Sequence, residues 1–153
     1  LLQDTHDPDA AEFSAYPPHC VASSEESETI DELRTLAFAN RFTVIPKNTI
    51  NSDLGTDLTS WLDQHPEVTT FIVVGDCTDI CVYHGATYLR LRANVLEQEN
   101  TRVIVPANCV QTYDLPVETA AGAGAMPHDG DLLHRVFLYQ MALNGIEVVS
   151  SLP

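Results

Sequence analysis

The sequence predicts an α/β protein, three layers deep, whose mostly parallel sheet carries helices on both faces. Three observations predict it. Short apolar, β-branched runs recur at 42–46 (FTVIP), 71–74 (FIVV), 103–106 (VIVP) and 146–149 (IEVV). Segments with helical spacing lie between them. Gly and Pro fall at the joints.

Taken in order, residues 4–20 (DTHDPDAAEFSAYPPHC) read as a loop, with three prolines among small and acidic residues. The acidic stretch 23–28 (SSEESE) leads into a helix expected over 29–39, where Thr29 and Glu32 have capping-box spacing. A strand over 42–46 is closed by its proline. Residues 56–65 place Leu58, Trp61 and Leu62 at helical spacing. The run 71–74 has the composition of a strand buried on both faces, and a helix follows it to about residue 98. After the strand at 103–106, an Ala/Gly-rich segment over 117–125 reads as a weak helix. Over 131–144, Leu132, Leu133, Val136, Leu138, Tyr139 and Leu143 share one broad face, and Gly145 ends that helix. A last strand is expected at 146–149.

The centre of this organisation is 71–86, FIVVGDCTDICVYHGA. Gly75 breaks the apolar run, and Thr78 or Asp79 can cap a helix starting near Ile80. Cys81 then falls in the first helical turn, where backbone N–H groups and the positive dipole end favour a thiolate. Strand, sharp turn and cysteine at a helix start display a nucleophile at the carboxyl edge of a sheet. The alternative is a small cysteine buried in a helix–sheet contact.

The chain has 153 residues and reads as one domain, 1–153, with no repeats. Its 7 Lys and Arg stand against 22 Asp and Glu, a formal net charge of −15. That excludes nucleic acid and anionic membrane as favoured partners. No apolar run is long enough for a membrane span. Cys20, Cys77, Cys81 and Cys109 lack disulfide-framework spacing and read as reduced thiols, which implies a cytoplasmic location. The opening LLQD reads as a strand or loop already under way. An N-terminal segment with a further strand is therefore expected to be missing.

Three constellations carry chemistry. Asp4 and His6 are spaced to point the same way on extended chain, with Glu12 and His19 on the same loop. This mixed N/O set suits Zn²⁺, Fe²⁺ or Mn²⁺; the alternative is a solvated acidic loop. Lys47, in VIPKNTINSD, lies beside a strand end, where a cation would lower a thiolate pKa; the alternative is a surface lysine. Third, backbone N–H groups of the turn Gly75–Asp76–Cys77–Thr78, with that of Cys81, could form an oxyanion hole. Cys20 and Cys109 read as structural. His84, His128 and His134 read as surface or packing residues.

These motifs resemble one family. GDCTDICV resembles the nucleophile segment of the isochorismatase-like cysteine hydrolases. DTH followed by YPPHC is similar to the metal loop of their nicotinamidase branch, and IPKNTINSD to their catalytic-lysine segment. The resemblance extends through ANCVQTYDLPVETA and HDGDLLHRVFLYQMALNGIEVV, in consistent order along nearly the whole chain.

The resemblance implies roles. Cys81 matches the nucleophile and Lys47 the lysine of an Asp–Lys–Cys triad. Asp4, His6 and His19 match metal ligands, with Glu12 as the fourth. Tyr16 and Phe13 match substrate-packing aromatics. The Asp76–Cys77 bond matches a non-proline cis peptide at the oxyanion hole of Asp76, Cys77 and Cys81. One divalent metal, zinc first and iron or manganese next, is implied as cofactor. The implied reaction is hydrolysis of nicotinamide to nicotinate and ammonia through a thioester. Two alternatives stand beside it: an isochorismatase-like hydrolase of another small amide or ester, and an inactive metal-binding or interaction protein of the same fold. Homo-oligomers are the family expectation. The triad aspartate matches no residue here, so a missing N-terminal segment or a second chain is expected to supply it.

Overall fold

The computed structural model describes residues 1–152. It divides into two compact units, Leu1–Gln64 and His65–Pro153, each described by itself. Every strand pairing within them is parallel.

In the first unit, β1 (Leu2–Asp4) pairs with β2 (Ile45–Lys47) in the register Leu2↔Ile45, Gln3↔Pro46, Asp4↔Lys47. The opening LLQD is thus strand, and Lys47 ends β2 rather than following it. Between these strands the chain runs mostly as turns. His6 bridges Val21 in parallel, its N–H donating to the Cys20 carbonyl at 2.9 Å and its carbonyl accepting from Ala22 at 2.8 Å. The helix expected over 29–39 is one turn, α1 (Asp31–Arg34). No capping box forms: Ile30 sits at the N-cap, and the Thr29 hydroxyl donates to Gln3 Oε1 at 2.6 Å instead. Ile30, Leu36 and Phe38 stay exposed, so no apolar face is buried to support a longer helix. In α2 (Leu58–Gln64), Leu58 and Leu62 are buried as their spacing predicts.

The second unit is built on a three-stranded sheet in the order β3 (Thr70–Ile72), β5 (Arg102–Pro106), β7 (Glu147–Val149). A separate pair, β4 (Gly75–Asp76) and β6 (Val110–Gln111), follows the carboxyl ends of β3 and β5 in the chain. The expected run 71–74 is therefore split. It is also not buried on both faces: Ile72 and Val74 are 50% and 54% exposed. Among the described residues β3 pairs with β5 alone, and Phe71 and Val73 pack on the core while the alternate positions 72 and 74 face away from it.

That core joins Val82, Ala86, Val103, Val105, Val110, Met141 and Ile146. Helix α3 (Tyr83–Val95) contributes Ala86, and α5 (Gly130–Leu143) contributes Met141. Helix α4 (Val117–Ala123) ends at Gly124 in the left-handed region. Asp129 caps α5 by accepting from the Leu132 N–H. At its other end, Gly145 (φ 83°) donates to Ala142 and Ile146 to Met141, the paired bonds of a Schellman motif. The broad apolar face expected on α5 divides in two. Leu138 packs inward, whereas Leu132, Val136, Tyr139 and Leu143 are exposed. Among the described residues no helix is long and apolar enough to cross a membrane.

The division of α5 is testable by denaturant unfolding. Met141→Ala is expected to destabilise by about 2–5 kcal/mol, since Met141 is fully buried. Leu143→Ala is expected to change stability by less than about 0.5 kcal/mol. Equal losses would contradict this assignment of faces.

Candidate functional site

In the first unit the β1/β2 register sets Asp4 beside Lys47. Lys47 is 3% exposed, so it is not a surface lysine. Its ammonium donates to Asp4 Oδ1 in a short contact, and to the Thr49 carbonyl at 3.3 Å. A buried ammonium requires this kind of pairing.

Two residues along, His6 is wholly buried, and neither ring nitrogen has a hydrogen-bond partner among the described residues. Its Nε2 lies 3.6 Å from Asp4 Oδ1 and 3.8 Å from Glu12 Oε1, beyond hydrogen-bond range. Glu12 Oε1 is likewise buried and unmatched, while Oε2 accepts from the Ile50 N–H at 2.8 Å. His19 turns Nδ1 to the Pro17 carbonyl at 2.8 Å, which as a donor leaves Nε2 with its lone pair. Asp4, His6 and His19 each offer a ligand atom, all within 4.8 Å of one another. Orphaned donors at this spacing fit a divalent cation. Phe13 and Tyr16 lie against the same group, with ring centroids 5.4 Å (Phe13) from His6 and 6.4 Å (Tyr16) from His19.

In the second unit Cys81 lies in a π-type turn, Thr78–Val82, that runs directly into α3. The Val82 N–H reaches back to the Cys77 carbonyl at 3.1 Å. The peptide between Asp76 and Cys77 is cis. Neither Thr78 nor Asp79 caps the turn, contrary to expectation; Cys77 occupies that place without a side-chain bond. Thr78 Oγ1 instead bonds His134 Nδ1 at 2.9 Å. Asp79 accepts from Thr112 Oγ1 at 2.5 Å and pairs with His128 Nε2 at 2.8 Å. His128 and His134, expected as surface or packing residues, are half-buried and hydrogen-bonded to the turn. Sequence reasoning missed both, and Thr112, because their partners stand 56, 49 and 33 positions away.

All four cysteines are thiols. Burial pushes the Cys77 thiol up, with Asp76 and Asp79 adding to it against hydrogen bonding with Thr112 and the Tyr113 backbone. Cys77 therefore stays protonated near neutrality. Cys109, read as structural from the sequence, is exposed.

A model of the isochorismatase domain matches residues 2–133. The chain belongs to the isochorismatase family. It is 35% identical over 158 residues to Nicotinamidase 1 of Arabidopsis thaliana, an alignment covering 97% of this chain and 64% of that protein. The chain thus spans just under two thirds of that relative. The crystal structure of nicotinamidase PncA from Bacillus subtilis superposes with a TM-score of 0.71 at 22% identity, over 97% of this chain and 72% of that one. N-carbamoylsarcosine amidase from Thermoplasma acidophilum gives 0.67 at 26%, over 97% and 69%. The isochorismatase-like α/β fold expected from the sequence is borne out, as is the resemblance to nicotinamidases.

Two outcomes follow. Removing the buried imidazole with His6→Ala is expected to weaken zinc binding by more than the roughly 10–100-fold typical of outer-shell losses, read by competition with a chelating dye. Unchanged zinc affinity would contradict the cation fit. Iodoacetamide at neutral pH should label Cys109 at least about tenfold faster than Cys77, by peptide mass mapping.

Proposed function

We propose that this chain carries the catalytic machinery of a nicotinamidase-type amidohydrolase in one domain, converting nicotinamide to nicotinate and ammonia. One observation carries the reading: the wholly buried, unmatched imidazole of His6 within a cluster of metal donors. The 35% identity to Nicotinamidase 1 supports the substrate.

Asp4, His6, Glu12 and His19 would hold the divalent ion, zinc by this donor set. When bound, the ion supplies a Lewis acid for the pyridine nitrogen, orienting the ring. Phe13 and Tyr16 pack on that ring. Cys81 is the nucleophile: its sulfur bonds to the carboxamide carbon, and its proton passes through the triad carboxylate to the departing nitrogen. The resemblance gives Lys47 the part of the triad lysine. The N–H groups of Cys77 and Cys81, after the Asp76–Cys77 peptide, receive the oxyanion. The C–N bond breaks, ammonia leaves, and water hydrolyses the thioester to release nicotinate and restore the thiol.

The triad carboxylate comes from a further segment or a second chain. Its support is the open edge of β3, which pairs on one side only and leaves Ile72 and Val74 exposed. The setting is cytoplasmic and the assembly a homo-oligomer. A second reading, another small amide as substrate, is supported by the likeness to N-carbamoylsarcosine amidase.

In the full-length protein, Cys81→Ala is expected to lower ammonia release from nicotinamide by at least about 10⁴-fold. Chelation should lower it in the parent protein, with recovery on adding zinc. A panel of small amides separates the two substrates. An alanine variant of undiminished activity would sink the mechanism.

A further inference from the structure

The residues around Asp79 assign a role to a histidine that the mechanism does not use. His128 turns Nδ1 to the Tyr113 carbonyl at 2.8 Å and Nε2 to Asp79 Oδ2 at 2.8 Å. Both partners are acceptors, so with Asp79 ionised the ring satisfies both only as the imidazolium. The other Asp79 oxygen accepts from the Thr112 hydroxyl. Both side chains are largely buried, and the Tyr113 ring stacks on the imidazole at 3.9 Å. Asp79 thus has each oxygen matched, from two segments distant in sequence. One residue earlier, the fully buried Thr78 bonds His134.

We propose that His128 is a positioning residue: with Thr112 it fixes the Asp79 carboxylate, and thereby the turn that presents Cys81. The turn has no side-chain cap of its own at Cys77. Its two leading side chains are held from outside, by the segments around Thr112 and His128 and by α5. These segments approach closely. A β-carbon at Gly130 would lie 2.7 Å from the Tyr113 carbonyl oxygen, so glycine is required there. This inference rests on the reading of Cys81 as nucleophile.

The two ring nitrogens can be tested apart. In His128→Gln the amide reaches the depth of Nε2 and donates to Asp79. In His128→Asn it stops at the depth of Nδ1 and serves the Tyr113 carbonyl alone. The readout is Cys81 alkylation by iodoacetamide, mapped by mass spectrometry on the full-length protein, beside kcat and KM for nicotinamide. His128→Asn is expected to slow alkylation and kcat by about 10–100-fold with KM moved less than about threefold. His128→Gln should restore both to within about threefold of the parent. Alkylation of the asparagine variant at the parent rate overturns the proposal, as does equal slowing of the two variants. If His128→Asn does not fold, Asp79→Asn and Asp79→Ala take its place. The amide can keep both bonds with a neutral ring and alanine neither, so equal alkylation of those two also overturns it. Alkylation needs no substrate. The expected order without ammonia release would refute the nicotinamidase reading and leave the positioning role standing.

Discussion

A buried imidazole must find partners at both ring nitrogens, and this requirement shapes both halves of the chain's chemistry. An unmatched buried polar group costs about 1–3 kcal/mol. His128 meets the requirement within the protein, with a carbonyl on one nitrogen and a carboxylate on the other. His6 does not, although it is wholly buried. Its neighbours are oxygens at 3.6 and 3.8 Å, spaced for something between them. One histidine is matched inside the protein, and the other stands among donors that fit a cation.

The same logic applies to charge. The chain carries a formal −15, yet one of its few cations, Lys47, is buried against Asp4. Removing one partner of such a pair typically destabilises by about 3–5 kcal/mol. The pairing follows from strand register, because Asp4 and Lys47 are opposite partners of β1 and β2. Asp4 also stands within the cluster of His6 and His19. Its carboxylate therefore faces an ammonium and a donor set for a metal together. A carboxylate shared in this way ties the ammonium to the donor set, with the Thr49 carbonyl as a further acceptor.

What could be read in advance was local. Alternation of apolar runs and helical spacing points to the α/β class, and the expected helix 131–144 lies within a residue of α5 at each end, with Gly145 marking its close. The D-x-H spacing and the cysteine after a broken strand were legible for the same reason: the whole signal lies in a few consecutive residues. The failures were tertiary. Nothing near Thr29 announces that its hydroxyl goes to Gln3, so the capping-box spacing there has no counterpart in the fold. The run at 71–74 looked like a central strand, but exposure depends on which strands pair with β3. Apolar spacing on α5 could not say which stripe meets the core, since both stripes are apolar.

The turn that carries Cys81 shows how such a failure arises. Ser, Thr and Asp at a helix start ordinarily bond their own backbone. Thr78 and Asp79 are the residue types that do so, yet their side chains leave the turn for His134, Thr112 and His128. A self-capped turn is held by its own few residues, and its geometry is as soft as they are. A turn braced from three distant points inherits the rigidity of the elements that brace it, here the close-packed segments around Tyr113 and Gly130. Positioning a reactive sulfur calls for the second arrangement. In one dimension it reads as an ordinary capping pattern, and only the fold discloses where those bonds go.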